Sequence, residues 1–180
     1  MRYKVYMVLQ VAAEVDLAEI VDLTNRAYRG TDGSAGWTVE TDFIEGERTS
    51  VHLLREELAA HPDALILTWR DQSDGSLLGS VWLEPLDDAV WYLGLFSVRP
   101  DLQGNQLGRR LLAAAEAAAK KRGAHRIRIF VVNVRDTLIA WYERRGYSLT
   151  GETKPFPYGN ERVGRPLRDD LGLVILEKAV

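Results

Sequence analysis

The stretch "RPDLQGNQLGRRLL", residues 99–112, stands between a strand-like run, "VWYLGLFSV" (90–98), and an alanine-rich helical run, "LGRRLLAAAEAAAKKRG" (107–123). A helix that begins there leaves its first backbone N–H groups unpaired and carries about half a positive charge at that end, so it attracts anions. Gly104 and Gly108 allow close backbone approach where a side chain would intervene. Arg109 and Arg110 put two cations at the unfavourable end of the helix dipole, which costs about 0.3–1 kcal/mol for each poorly placed charge. A bound polyanion reverses that cost. The same residues also fit a plain turn at Gly104 with both arginines in solvent.

Outward from this loop the chain reads as alternating elements. "RYKVYMVLQV" (2–11) has strand composition. "DLAEIVDLTNRAYR" has helical spacing at Leu17, Ile20, Val21, Leu23 and Ala27 behind Asp16 as its cap. A second helix, "VHLLREELAAH" (51–61), is capped by Thr49 or Ser50 and stopped by Pro62. "ALILTWR", "LLGSVWLEP" and "VWYLGLFSV" form an antiparallel meander, with the turn "DQSDGS" joining the first two. After the alanine-rich helix, which Gly123 closes, come the strand "HRIRIFVVN", the helix "RDTLIAWYERRG", and the strands "YSLTGET" and "LGLVILEKAV". The order β, α, α, three strands, α, β, α, β, β predicts an α+β fold with a mixed sheet, because a dinucleotide fold would alternate strand and helix throughout.

Composition bounds the function. The chain has 180 residues, 46% hydrophobic and 27% charged, which fits one globular domain over residues 1–180. The formal charge is −3, from 23 basic and 26 acidic residues, with no basic tract, so nucleic acid is not the expected partner. There is no cysteine, which removes thiolate metal sites, disulfides and a cysteine nucleophile from the chain. His52, His61 and His125 show no metal-ligand spacing, so no metal is expected. No run approaches the ~20 apolar residues of a membrane span and the N-terminus lacks a signal-peptide pattern. A cytoplasmic protein without a membrane partner is the expectation.

With these elements in place, "LFSVRPDLQGNQLGRRLL" and, further on, "LIAWYERRGY" resemble the GCN5-related N-acetyltransferases, from about Val8 to the C-terminus. The resemblance implies an α/β/α domain around a central mixed, mostly antiparallel sheet. It also implies acetyl-coenzyme A as acetyl donor, with its pyrophosphate wrapped by the loop Gln103, Gly104, Asn105, Gln106, Leu107, Gly108 and Arg109. The pantetheine arm and thioester carbonyl would lie along the backbone of Phe96, Ser97 and Val98. Two positions depart from the family: Gln106 stands where the loop usually has its middle glycine, and Arg135 stands where an asparagine often contacts the coenzyme. Gln106 is tolerated if it is already helical, and Arg135 can bind phosphate or pantetheine oxygens.

Acyl transfer requires polarisation of a carbonyl, removal of an amine proton and protonation of a thiolate. The resemblance assigns the last task to Tyr142, whose phenol, with a reference pKa of about 10, stays protonated at neutral pH. The central strands "VWYLGLFSV" and "RIRIFVV" carry no carboxylate. Glu84, at the end of "SVWLEP", is therefore the first candidate base and Glu152 the second. The long segments 29–50 and 153–171 contain Trp37, Phe156, Tyr158 and Arg162, Arg165 and Arg168. Together with Tyr28 just before them, these suggest an acceptor site with aromatic walls, Tyr28, Trp37 and Tyr158 foremost. The arginines equally suit surface pairs with Glu161, Asp169 and Asp170. The expected partner is a small-molecule amine, with a homodimer left open. A catalytically silent coenzyme A sensor and an enzyme acetylating a protein amine are the competing readings.

Overall fold

The computed structural model describes residues 7–30, 39–102, 104 and 106–180, without the side chain of Glu161. Among them lie strands β1 (Leu9–Val11), β2 (Ile44–Glu45), β3 (Leu65–Arg70), β4 (Leu77–Pro85), β5 (Val90–Val98), β6 (Arg126–Val132), β7 (Ser148–Pro155), β8 (Arg165–Pro166) and β9 (Gly172–Ala179). Helices α1 (Leu17–Arg29), α2 (Val51–Ala60), α3 (Leu107–Lys121) and α4 (Asp136–Glu143) complete the regular structure. A seven-stranded sheet in the order β1-β3-β4-β5-β6-β9-β7 carries the fold, and β2 pairs with β8 in a separate two-stranded sheet. All neighbours are antiparallel except β5 and β6.

Strand alternation explains the layering. In β3, Leu67 and Trp69 join a core with Leu111, Leu112 and Ala115 of α3, whereas Ile66 joins Leu17, Ile20 and Leu23 of α1 and Leu54 of α2. Two helices thus cover each face of the sheet, and β4 is buried over Leu77–Leu83. Ser50 caps α2, its hydroxyl accepting from Leu53 N at 3.2 Å. Gly123, at φ 101°, ends α3, with Ala124 N donating to Ala119 O at 3.1 Å. Asp16 is the N-terminal flanking residue of α1, as expected, but its side chain makes no capping bond to that helix. It lies in a 3-10 turn (Glu14–Asp16), and its carboxylate accepts from Ala13 N at 2.8 Å.

Two irregularities open the sheet. On β5, Ser97 faces Ser80 and Gly94 faces Trp82, so β5 carries one extra residue opposite Val81. This bulge holds Leu95 at φ 44°. The parallel pairing of β5 with β6 covers only Val90–Tyr92 against Arg126–Arg128. Beyond Tyr92 the two strands part. The two segments read as irregular loops also prove to be joined: Ile44 pairs with Pro166 and Glu45 with Arg165, over a small core of Phe43, Ile44, Val132, Phe156 and Leu171.

Helix α3 approaches the sheet closely because Gly79 lies beneath Leu111. A Cβ at Gly79 would come within 2.8 Å of Leu111 Cδ2 and 3.1 Å of Ser97 O. Gly79→Ala is therefore expected to overpack the core by about 1–3 kcal/mol. Thermal melting should register it at roughly 2–4 °C per kcal/mol.

Candidate functional site

Two adjoining cavities occupy the gap between β5 and β6. The first, of about 380 Å³, is lined by Phe96 and Val98 of β5, by Gly104, Gln106, Leu107, Gly108 and Arg109 at the start of α3, and by Trp141, Tyr142 and Arg145 on and after α4. The second, of about 170 Å³, continues toward Tyr92, Phe130, Phe156 and Val163. Tyr28, Phe96, Arg135, Leu138 and Tyr142 line both.

The first cavity gathers most of the residues that the loop reading assigned to the coenzyme. Gln103 and Asn105 lie outside the described residues. Gly104, at φ 98°, has open space where a Cβ would point, and a Cβ on Gly108 would stand 3.4 Å from Trp141. Gln106 is not helical as the sequence reading required. It is the N-terminal flanking residue of α3 in the left-handed region, at φ 58° and ψ 18°. That conformation costs an L-residue about 1–2 kcal/mol. Ser97 does not face the cavity: its hydroxyl is buried against α1, donating to Thr24 Oγ1 at 3.3 Å, so only its backbone remains available on this strand.

Trp141 and Arg145, which the loop motif does not reveal, form one wall. Trp141 packs 6.1 Å from Phe96, and the Arg145 guanidinium lies 3.5 Å from the Trp141 ring centre while donating to Trp141 O at 2.7 Å. Arg145 Nε is buried without an acceptor. Burial, then the neighbouring Arg144 and Arg109 charges, pull its pKa below the ordinary arginine value. An unsatisfied buried donor among like charges, beside a helix N-terminus, suits an anionic ligand. Arg110 instead lies over Trp69, 5.0 Å from its ring centre.

Tyr142 stands where the cavities meet. It is 4% exposed and packed edge-on against Trp141 and Tyr147 at 5.0 and 5.5 Å. Burial raises its phenol well above the ordinary range, and the nearby Tyr28 adds to this against the opposing Arg135. Burial likewise raises Tyr28, and lifts Tyr92 to about 12. All three phenols are therefore neutral donors at physiological pH.

Arg135 reaches both cavities, but its Nη1 donates to Glu40 Oε1 at 2.7 Å, and Arg29 Nη1 donates to Glu40 Oε2 at 2.6 Å. The Arg29, Glu40 and Arg135 side chains are 9%, 6% and 9% exposed. Arg29 also donates to Gly46 O and Val163 O. This buried triad ties α1, the segment before β2 and the loop before α4 together, and spacing along the chain gives no hint of it.

Other expected residues lie elsewhere. Glu84 lines neither cavity. Its carboxylate sits 2.5 Å from His61 Nδ1 and accepts from Trp82 Nε1 at 3.1 Å, because alternation along β4 points it with Trp82 toward the α2 side. Glu152 is exposed, 3.7 Å from Arg128. Tyr158 is 44% exposed and outside both linings, its hydroxyl spent between Arg168 O at 3.0 Å and Leu171 N at 2.8 Å. Arg162 pairs with Glu56, Arg165 with Glu45, and Arg168 with Asp170 at 2.6 Å. Those arginines are taken up in surface ion pairs and lie outside both linings. Trp37 lies outside the described residues. Among the described residues no cluster of His, Cys, Asp or Glu could hold a metal ion, and no helix is long and apolar enough to cross a membrane.

The profile of the acetyltransferase (GNAT) family matches residues 17–147, which include the whole lining of the first cavity and part of that of the second. The chain belongs to that family. A curated relative, a mycothiol acetyltransferase of Beutenbergia cavernae, is 34% identical over 84 residues, covering 46% of this chain and 28% of that protein. The chain therefore spans well under two thirds of the relative's length. Solved structures of the same fold include a GNAT family acetyltransferase of Elizabethkingia anophelis with acetyl-CoA bound (TM-score 0.64, 15% identity, 98% and 100% of the two chains covered). Another is a PaiA N-acetyltransferase of Thermoplasma acidophilum in complex with coenzyme A (TM-score 0.66, 17% identity, 97% and 99% covered).

Two substitutions test this geometry by thermal or chemical denaturation. Gln106→Gly relieves the left-handed strain and, after glycine's larger chain entropy is set against it, should stabilise the protein by about 0.5–1 kcal/mol. Glu40→Gln leaves two guanidiniums facing each other without their carboxylate, and should destabilise by about 3–5 kcal/mol.

Proposed function

We propose that the protein transfers the acetyl group of acetyl-coenzyme A to the amine of a small polar molecule, with residues 1–180 acting as one cytoplasmic catalytic domain. The observation that carries this reading is Tyr142, a neutral phenol on the wall common to two cavities of different character. The larger cavity fits a coenzyme: Gly104 and Gly108 leave space at a helix N-terminus, and Arg145 Nε lacks an acceptor. The smaller one, lined also by Phe156, Pro157 and Val163, has room for a compact acceptor. Its volume of about 170 Å³ favours a small molecule over a protein terminus.

In this reading Gly104, Gly108 and Arg109 hold the pyrophosphate with the N-terminus of α3, while Arg145 supplies a further cation. The backbone of Phe96–Val98 holds the pantetheine arm on its β6 side, left unpaired there by the parting of β5 from β6, while Ser97 and Val98 stay paired with β4 on the other side. The bound donor supplies an activated acetyl thioester and a thiol leaving group. Tyr142, held neutral by burial, donates its proton to the departing sulfur as the C–S bond breaks, and burial, which disfavours the phenolate, has it regain a proton from water. Amine deprotonation is favoured by the positive surplus at the second cavity, where among the described residues Arg48 and Arg135 are lining cations, Glu40 is the lining carboxylate, and Glu40 is already shared by Arg29 and Arg135. A local positive field lowers an ammonium pKa, so the acceptor enters as the free amine and passes its proton to water.

The test is thiol release by purified protein with acetyl-coenzyme A and a panel of amines, compared with stabilisation of the protein by the donor alone. Turnover above background supports the enzyme; stabilisation by the donor with no turnover on any amine replaces it with a coenzyme A-binding module. For Tyr142→Phe the ring stays packed and only the donor is lost. Single-turnover thiol release should then slow by about 10²–10⁴-fold with donor affinity unchanged. An unchanged chemical rate would remove Tyr142 from the reaction.

A further inference from the structure

We infer that Arg48 is an anion anchor in the second cavity and that the acceptor is an amine carrying a carboxylate or similar compact anion, an inference that rests on the acetyltransferase reading above. Arg48 lines that cavity, and its guanidinium makes no ion pair with any described residue. It lies 5.4 Å from the centre of the Tyr28 ring, and Tyr28 lines both cavities. The free cation therefore stands about one aromatic ring from the wall where Tyr142 sits. A half-buried guanidinium without an anion is costly and gains most when a ligand carboxylate completes it.

The position of Arg48 is built. Asn25 of α1 accepts from Arg48 N at 2.7 Å and from Thr49 N at 3.2 Å, and returns a bond from Nδ2 to Thr49 O at 2.9 Å. Thr49 is 3% exposed. The chain is thereby fixed on both sides of the Arg48 side chain. The other guanidiniums nearby are spent: Arg29 and Arg135 share Glu40. Glu57 and Tyr92 share the electrostatic surroundings of Arg48, but Glu57 lies beyond ion-pair distance and outside the cavity lining. Among the described residues two guanidiniums, Arg48 and Arg135, and one carboxylate, Glu40, line the cavity, and Arg29 behind them also draws on Glu40, which leaves a positive excess that a neutral or cationic acceptor would not answer.

The experiment pairs free α-amino acids with their amides, which differ only in the carboxylate. Amino acid amides have the more readily deprotonated amine, so intrinsic reactivity runs against the expected preference. Wild-type protein should show a higher kcat/KM for the acids. Arg48→Gln should reduce the ratio of acid to amide by about 10- to 100-fold, the size that a charge-assisted hydrogen bond carries, through KM for the acid, with donor KM and melting temperature retained. Arg48→Lys should restore part of the ratio. Acetylation with no preference for acids, or a preference that survives Arg48→Gln, overturns the anchor and leaves acetyl transfer standing. If no amine is acetylated, the enzymatic reading fails by itself. Thermal stabilisation by the acids over the amides in wild type, lost in Arg48→Gln, then decides the anchor, and equal stabilisation overturns it.

Discussion

The parting of β5 from β6 is the constraint on which the remainder of the molecule depends. Parallel strands are normally held by a continuous ladder, yet here the ladder stops after Tyr92 and Arg128. The bulge at Leu95 and Phe96 adds a residue to β5 on the side of β4 and tilts the strand's end away from β6. A helix N-terminus and α4 close over the gap, and the backbone freed from pairing lines the first cavity. The strain at Leu95 is held in place by its surroundings: Ser97 is locked onto Thr24 of α1, and Leu95 packs with Tyr92 against the α1 and α2 core.

Charge is distributed along this gap in a way that fits the proposed chemistry. Cations line both cavities, Arg109 and Arg145 the first and Arg48 the second, while the phenols of Tyr28 and Tyr142 are common to the two linings. Anionic groups are favoured at the two extremities, and the reacting centre is left free of a fixed negative charge other than Glu40. That carboxylate is already shared by two guanidiniums, so it organises the walls of the site. Its burial also explains why two segments far apart in the chain, around Glu40 and around Val163, can form a stable roof: Arg29 joins both.

The helices and strands were legible from the chain because they depend on local periodicity and on punctuation by Ser50, Pro62 and Gly123. The glycine-bearing turn into α3 was legible because glycine spacing before an alanine-rich helix reflects backbone geometry within one short segment. Legibility ended where partners come from distant segments. Glu84 was a reasonable carboxylate by type, but strand alternation sends it to His61 and Trp82. Arg162, Arg165 and Arg168 were reasonable cations, but surface acids take them. Arg48 and Glu40 carried no motif at all, and what singles them out is who pairs with them and who does not.

The sequence by itself determined the order of the helices and of the seven strands of the main sheet, the layered α+β architecture, the glycine-bearing turn into α3 and the family resemblance, since each rests on residues near one another in the chain, whereas the β2–β8 pair did not show there. Tertiary structure alone decided which side chains meet: the two cavities, the phenol between them, the Arg29–Glu40–Arg135 triad and Arg48 over Tyr28 with no ion-pair partner among the described residues. The physical reason is that a charge or phenol acquires its character from burial and neighbours. Those neighbours come from α1, the β2 region, β5, α4 and the segment before β8, which only the folded chain brings within a few ångströms.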